Sequence, residues 1–175
     1  MQASLTARMI GAARLDTATY EAVEHDEAAT SSALLVVVLA AIAAGIGTLG
    51  SGRIAAFILG IIAAIVSWAA YAGVAYLIGS RLLAGPETKA TWGQLLRTLG
   101  FAQAPRLLLV LGWIPILGAL ISLVVFIWTL VTTVVAIRQA LDFTTGRAIG
   151  TAVIAWLVLV IVYAIILIPV GVFTA

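Results

Sequence analysis

The sequence predicts an all-α integral membrane protein with five transmembrane helices, a cytoplasmic N-terminus and a C-terminus outside. Three observations predict this fold class. Of the 175 residues, 64% are hydrophobic and only 9% are charged, whereas a soluble domain is about half apolar and about a quarter charged. Long uncharged runs recur along the chain. Lys and Arg fall almost entirely on one side of the membrane when five crossings are assumed. A soluble globular domain is therefore excluded.

Apolar runs supply the helices, since one crossing needs about 20 residues. The runs cover residues 33–49, 54–78, 107–137 and 151–171. The third run is long for one crossing and short for two, and it contains Pro115 and Gly118. Because proline removes a backbone donor and glycine permits a turn, we divide the run there. With the third helix extended back to Gln103, the predicted spans are 33–49, 54–78, 103–117, 119–137 and 151–171.

The basic residues test this division, because short cytoplasmic loops carry the excess of Lys and Arg. With five spans, only Arg53 lies outside. If residues 107–137 crossed once, Arg138 and Arg147 would also move outside. The five-span topology gives the stronger asymmetry, with eight basic residues in the cytoplasm: Arg8, Arg14, Arg81, Lys89, Arg97, Arg106, Arg138 and Arg147.

The third helix, 103–117, has two interpretations. As a short crossing it has Arg106 just inside it, from where the long side chain can reach the headgroups. Alternatively, it forms a shallow re-entrant hairpin with the fourth helix, and both ends of the hairpin are cytoplasmic. Charge counting does not separate the two. In either case a tight turn joins the two helices, and its residues include Trp113, Pro115 and Gly118.

A short amphipathic helix is predicted at residues 92–99, between the second and third spans. Thr91 is a suitable N-cap with Gln94 as its capping-box partner, and Gly100 is a C-terminal stop. The apolar residues recur at i, i+3, i+4 and i+7 and form one stripe. This stripe either lies in the cytoplasmic headgroup region or packs on the protein's own helices. It consists of Trp92, Leu95, Leu96 and Leu99.

The N-terminal segment, residues 1–32, lacks a transmembrane run and forms a separate cytoplasmic region. Its first part is a basic amphipathic stretch around Arg8 and Arg14, and its second part is acidic. Carboxylates around the only histidine, His25, could suggest a divalent-metal site, but such a run is more typical of a solvated helix face. We therefore predict no metal.

Composition excludes several kinds of chemistry. The chain has no cysteine, which excludes disulfides, thiolate metal sites and cysteine nucleophiles, and its net charge of +2 is too small for a nucleic-acid-binding surface. No serine has a base in predicted reach, since His25 lies outside the spans. We predict neither an enzyme nor a cofactor. The alternative to a binding protein is a channel or facilitator for a small neutral solute, lined by Ser67, Thr129, Thr133 and Tyr163.

Small residues spaced four apart concentrate in the first two predicted spans. Such pairs let helix backbones approach closely. We expect these two helices to form the tightest interface, within the chain or with a partner. The glycines of the pairs are Gly45, Gly47, Gly60 and Gly73.

Several stretches resemble the Yip family, the Ypt/Rab-interacting membrane proteins, in its prokaryotic branch. They are LGFAQAPRLL around Pro105, the WIPILG turn, AIRQALDFTTGRA after the fourth helix, and the N-terminal TYEAVEHDEAATSSALLVVVLAAIAAGIG. The resemblance implies a five-span protein with a cytoplasmic N-terminus. Eukaryotic members are associated with small GTPases and vesicle traffic, but their DLYGP motif and long cytosolic N-terminal region are absent here, which argues against a Rab-type GTPase partner.

These observations predict a non-enzymatic scaffold, adaptor or accessory subunit in a bacterial cytoplasmic membrane. Its partners are membrane lipids and other membrane proteins, and it meets them through its cytoplasmic face. Basic residues near that surface attract anionic headgroups, and apolar residues anchor it. The candidate contact residues are Arg81, Lys89, Trp92, Leu95, Leu96, Arg97, Leu99 and Arg106.

Overall fold

The computed structural model describes residues 3–49, 54–85, 88–114 and 116–174, and this part of the chain contains helices and no strand. Arg53 and the predicted turn residue Pro115 lie outside the described residues. The side chains of residues 47–49 and 167–174 also lie outside the described part, and they include the predicted packing residue Gly47. The helices are α1 Leu5–Ala13, α2 Thr17–His25, α3 Ala29–Leu49, α4 Ile54–Leu77 with a π-helical extension Ile78–Leu82, α5 Trp92–Phe101, a 3-10 helix Ala104–Leu111, α6 Leu117–Ala140 and α7 Thr145–Thr174.

Four helices in the described part of the chain are long and apolar enough to cross a membrane. The second and fourth predicted spans fall within them, and the first and fifth overlap them. Most of their large apolar side chains are exposed, as expected for surfaces that face lipid. The predicted span 103–117 is not among the four, because its described residues form the 3-10 helix and a turn. The four helical stretches are Ala29–Ile46, Ile54–Leu82, Leu117–Ala140 and Thr145–Ile166.

The N-terminal helices α1 and α2 pack onto the bundle, whereas the sequence suggested a separate cytoplasmic region. Side-chain caps begin both helices, at Ser4 and Asp16. The Tyr20 side chain is fully buried, and its hydroxyl donates to the Ala12 carbonyl at 3.1 Å. The indole of Trp128, on α6, donates to the Ala13 carbonyl at 2.7 Å. These bonds join α1 to both α2 and α6.

Helix α5 begins with the predicted capping box, in which Thr91 and Gln94 bond reciprocally. Its stripe, however, does not lie on headgroups. Leu95 and Leu99 are fully buried, because α5 packs between α2, α3, α4 and α6. Trp92 remains 48% exposed, and its indole donates to Ala69 of α4 at 3.4 Å. The stripe therefore packs mainly on the protein's own helices, the second of the two expectations.

The chain from α5 through the 3-10 helix runs antiparallel to α6. Near the middle of this pair, the Thr132 hydroxyl donates to the Ala102 carbonyl at 2.8 Å. At the far end, Leu108 and Leu111 face Leu120 and Val124 across a small apolar cavity. The pair thus extends along most of α6.

The turn before α6 brings two backbone segments into close contact. Ile116 adopts a φ of 67°, which non-glycine residues rarely do. A Cβ on Gly118 would overlap the carbonyl oxygen of Gly112, so only glycine fits there. Trp113, another of the predicted turn residues, is 68% exposed.

The predicted packing glycines have different environments. A Cβ on Gly45 would lie 2.7 Å from the ring of Phe57, so this glycine does allow α3 and α4 to approach closely. Gly73 has only the Trp92 indole nearby, at 3.6 Å, and Gly60 faces open space. At Gly100 a Cβ would likewise lie 2.7 Å from the Cβ of Ala33, and also 3.1 Å from its backbone. Helix α3 therefore approaches α5 closely as well as α4.

Candidate functional site

Arg97 joins α5 to the C-terminal end of α2. Its side chain is only 7% exposed. The guanidinium Nε donates to the carbonyls of Val23 and Glu24 at 3.2 and 3.1 Å, and Nη2 donates to the Glu24 carbonyl as well. A cation that bonds the last carbonyls of a helix also interacts favourably with its dipole. Arg97 therefore holds the N-terminal helices and is not free to meet lipid headgroups, which corrects its assignment as a lipid or partner contact.

Glu24 lies in the same contact between α2 and α5. Its carboxylate accepts a hydrogen bond from the Gln94 amide at 2.9 Å, and the residue is 5% exposed. Burial, followed by the nearby negative charge of Glu21, raises the pKa of Glu24 to about 7. Glu24 is therefore partly protonated at neutral pH.

We expect the stability of the fold to decrease as pH rises from about 4.5 to 7. Over this range the folded state binds the Glu24 proton more tightly than the unfolded state does. The free energy of unfolding therefore falls by about 1–2 kcal/mol as the proton is lost. The charged or titratable groups around Glu24 are Glu21, His25, Asp142 and Arg97. The variant Glu24→Gln keeps an acceptor for Gln94 and should be more stable than the parent protein at pH 8. Thermal melts in detergent between pH 5 and 8 measure this.

His25 is the necessary control, because its pKa is also raised, first by its hydrogen bond to the Glu21 carbonyl. Its stabilising effect is also lost as pH rises. The comparison is therefore made in a His25→Gln background. If Glu24→Gln leaves the pH dependence of that background unchanged, Glu24 is not the titrating group.

Ligand atoms of Glu21, Glu24 and His25 lie within 4.8 Å of one another. The spacing would suit a divalent cation. However, the Glu21 carboxylate already accepts from Gln139 at 2.8 Å, and the Glu24 carboxylate accepts from Gln94. These bonds explain the arrangement as a contact between helices, and we assign no metal to it.

The exposed cations of the candidate contact set lie on the connection between α4 and α5. Arg81 lies in the last turn of the π-helical extension and Lys89 precedes α5, and both are exposed. Arg147, at the start of α7, contacts Gly85 of the same connection. We call Arg81, Lys89 and Arg147 the basic surface. Of the apolar candidate contacts, Trp92 is exposed and Leu96 is half-buried.

Arg106 lies inside the bundle and not at its end, contrary to the expectation that it reaches the headgroups. It lines a cavity of about 420 Å³ between α3, α4, α5, the 3-10 helix and α7. Its Nη1 donates to Oε1 of Gln103 at 2.9 Å. On the other walls, the hydroxyls of Ser67 and Tyr163 share a hydrogen bond of 2.9 Å. We call this space the arginine cavity.

The four side chains predicted to line a solute pathway lie in different parts of the bundle. Ser67 and Tyr163 line the arginine cavity. Thr133 lines a second, mostly apolar groove of about 540 Å³ between α6 and α7. The Thr129 hydroxyl bonds back to the Val125 carbonyl of its own helix at 2.8 Å. Neither the arginine cavity nor this groove includes all four side chains.

The residues that fix the N-terminal helices were not found from the sequence. Tyr20 and Trp128 carry no local signal, because each bonds to a backbone carbonyl that is distant in the sequence or in another helix.

Gly100 was interpreted only as a helix stop. Gly100 and Ala104 are small residues spaced four apart, but Ala104 lies in the 3-10 helix beyond the end of α5, and the sequence alone does not show which helix lies opposite the pair.

The geometry can be compared with known proteins. A family model described as the Yip1 domain matches residues 17–167, from α2 into α7. Comparisons with curated proteins and with solved structures give no significant match. The family model covers the elements from α2 to α6 and most of α7, and this agrees with the resemblance seen in the sequence.

Proposed function

The chain belongs to the Yip1-domain family of membrane proteins, and from this premise we propose that it is a non-enzymatic adaptor or accessory subunit. It acts through protein and lipid contacts on its cytoplasmic face, in a bacterial cytoplasmic membrane. The observation that carries the proposal is the basic surface, three exposed cations from separate elements at one end of the bundle.

A five-crossing topology underlies this proposal, with the third crossing made by the 3-10 helix and the turn that follows it. The eight residues of the 3-10 helix rise by about 16 Å, about half of a hydrocarbon core of about 30 Å. Helix α5 leads into this crossing, and its Gly100 packs on Ala33 near the start of α3. The antiparallel pairing with α6 supports the crossing.

This topology puts the N-terminus and the basic surface on the cytoplasmic side and the turn with Trp113 outside. The α4–α5 connection and the α6–α7 corner lie at the same end as the N-terminal helices. The excess of Lys and Arg at that end agrees with the rule for short cytoplasmic loops. Anionic headgroups or an acidic partner are the chemistry this end would recognise, each basic residue contributing about 1 kcal/mol.

Reversing two charges of the basic surface should remove the partner. We expect the parent protein, purified in mild detergent from native membranes, to carry another chain in a fixed ratio. The double variant Arg81→Glu, Lys89→Glu should lose most of it, because like charges then face the partner's acidic surface. Quantitative mass spectrometry of the purified material measures the ratio.

The matched control is Arg14→Glu, which reverses an exposed arginine on α1. It should keep the partner in the parent ratio. If the parent protein purifies without a stoichiometric partner, or if the double variant retains the partner in full, the adaptor proposal is contradicted.

A further inference from the structure

The arginine cavity lies at the middle of the helices that form it. Val37 and Ala41 of α3, Ser67 of α4 and Val160 of α7 line it, and each is close to the midpoint of its helix. Since these three helices are candidate membrane spans, Arg106 lies near the depth of the bilayer centre. A charge at that depth is costly and marks a functional site unless it has a partner.

Arg106 lacks an anionic partner within the described residues, where the one ion pair joins Arg8 to Asp26. Its hydrogen bond to Gln103 is to a neutral amide. A guanidinium has five donors in a fork that fits the oxygens of a phosphate or carboxylate. A bound anion would therefore supply what the chain does not.

The cavity opens sideways, between α4 and α7. Gly60 and Ala63 of α4 and Trp156 and Val160 of α7 are exposed on its lining. A Cβ added to Gly60 would meet nothing within 4 Å. Because these parts of α4 and α7 are membrane-spanning, the opening faces the lipid. An anion that enters this way must come from a lipid and not from water.

The apolar groove between α6 and α7 adjoins the arginine cavity. Tyr71, Gln103 and Trp156 line both spaces. The groove is otherwise walled by apolar side chains such as Phe126, Leu130 and Val153. At about 540 Å³ it is within the size range of pockets that bind small molecules. Together the two spaces offer a site for a charged head next to a site for a hydrocarbon chain.

We propose that this pair of spaces binds one anionic phospholipid, whose phosphate meets Arg106 and Gln103 while an acyl chain lies in the groove between α6 and α7. The site is separate from the basic surface, which would attract headgroups at the membrane surface. Binding here holds a single lipid within the fold. It needs no partner protein and no cytoplasmic charge.

The test is native mass spectrometry of the full chain in detergent, titrated with phosphatidylglycerol. The parent protein should retain one lipid per chain, and phosphatidylcholine should bind much more weakly. Arg106→Gln should reduce retention of phosphatidylglycerol by at least about tenfold, since a hydrogen bond to a charged group contributes about 1.5–3 kcal/mol. Arg106→Lys should restore part of it. The control, Arg14→Gln, should bind as the parent does.

A second variant tests the opening without changing charge. Gly60→Phe should block the mouth and lower retention, whereas Leu59→Phe, on an exposed neighbour that does not line the cavity, should not. This pair stays informative if Arg106→Gln fails to fold. Equal binding of phosphatidylglycerol and phosphatidylcholine, or parent-like retention by Gly60→Phe, would overturn the proposal. Displacement of the lipid by millimolar inorganic phosphate or by oleate alone would also overturn it, because the anion would then come from water or from a fatty acid.

Discussion

Replacing Gly100 by valine should destabilise the bundle by about 3 kcal/mol, because overpacking at a site that cannot shift costs about 1–3 kcal/mol or more. The new Cβ would meet the Cβ of Ala33 at 2.7 Å and its backbone at 3.1 Å. The backbones of α3 and α5 cannot move apart there unless α5 shifts from its place between its four neighbouring helices. A drop in melting temperature of roughly 10 °C is expected, measured by size-exclusion melts in detergent.

The control is Gly146→Val, at a glycine of α7 where an added Cβ meets nothing within 4 Å. It should cost much less than Gly100→Val. Similar melting temperatures for the two variants would show that the crossing of α3 and α5 is not as close as described.

Replacing Arg97 by methionine should release the N-terminal helices from the spans. Methionine keeps most of the apolar stem but leaves the Val23 and Glu24 carbonyls of α2 without their donor, at a cost of about 2–4 kcal/mol. Hydrogen exchange should rise in residues 5–25 and stay unchanged in the spans. Arg97→Lys should have a smaller effect, since a single ammonium replaces the guanidinium fork.

Arg14→Met is the matched control for this experiment. Arg14 is exposed at the end of α1, and its loss should leave exchange in residues 5–25 as in the parent protein. If Arg97→Met also leaves it unchanged, the packing of Tyr20 and Trp128 alone holds these helices.

The sequence predicts the parts of the fold that depend on local pattern. The Yip family is confirmed, and four of the five predicted spans coincide with long apolar helices, because lipid requires each such run to satisfy its own backbone bonds. The capping box at Thr91 is also confirmed, since it involves only neighbouring residues. The packing of the N-terminal helices on the bundle was not predicted, because a short helix with a mixed surface gives no local sign of what it packs against.

Arg97 and Arg106 show where a charge pattern fails. Both were counted as surface cations, but one bonds the carbonyls of α2 and the other lines a cavity at mid-depth. A sequence window shows that a residue is charged and not which element lies opposite it. Gly60 illustrates the same limit, since small residues at helical spacing mark either a helix contact or, as here, an opening.

The third crossing is the feature on which both the basic surface and the arginine cavity depend, and cysteine labelling tests it most directly. The chain has no cysteine, so single cysteines can replace Trp113, in the turn before α6, and Thr144, in the corner before α7. A membrane-impermeant maleimide added to spheroplasts should label Trp113→Cys at once and Thr144→Cys only after permeabilisation. If Trp113→Cys also requires permeabilisation, the 3-10 helix and the turn after it do not cross the membrane, and Arg106 does not lie at its centre.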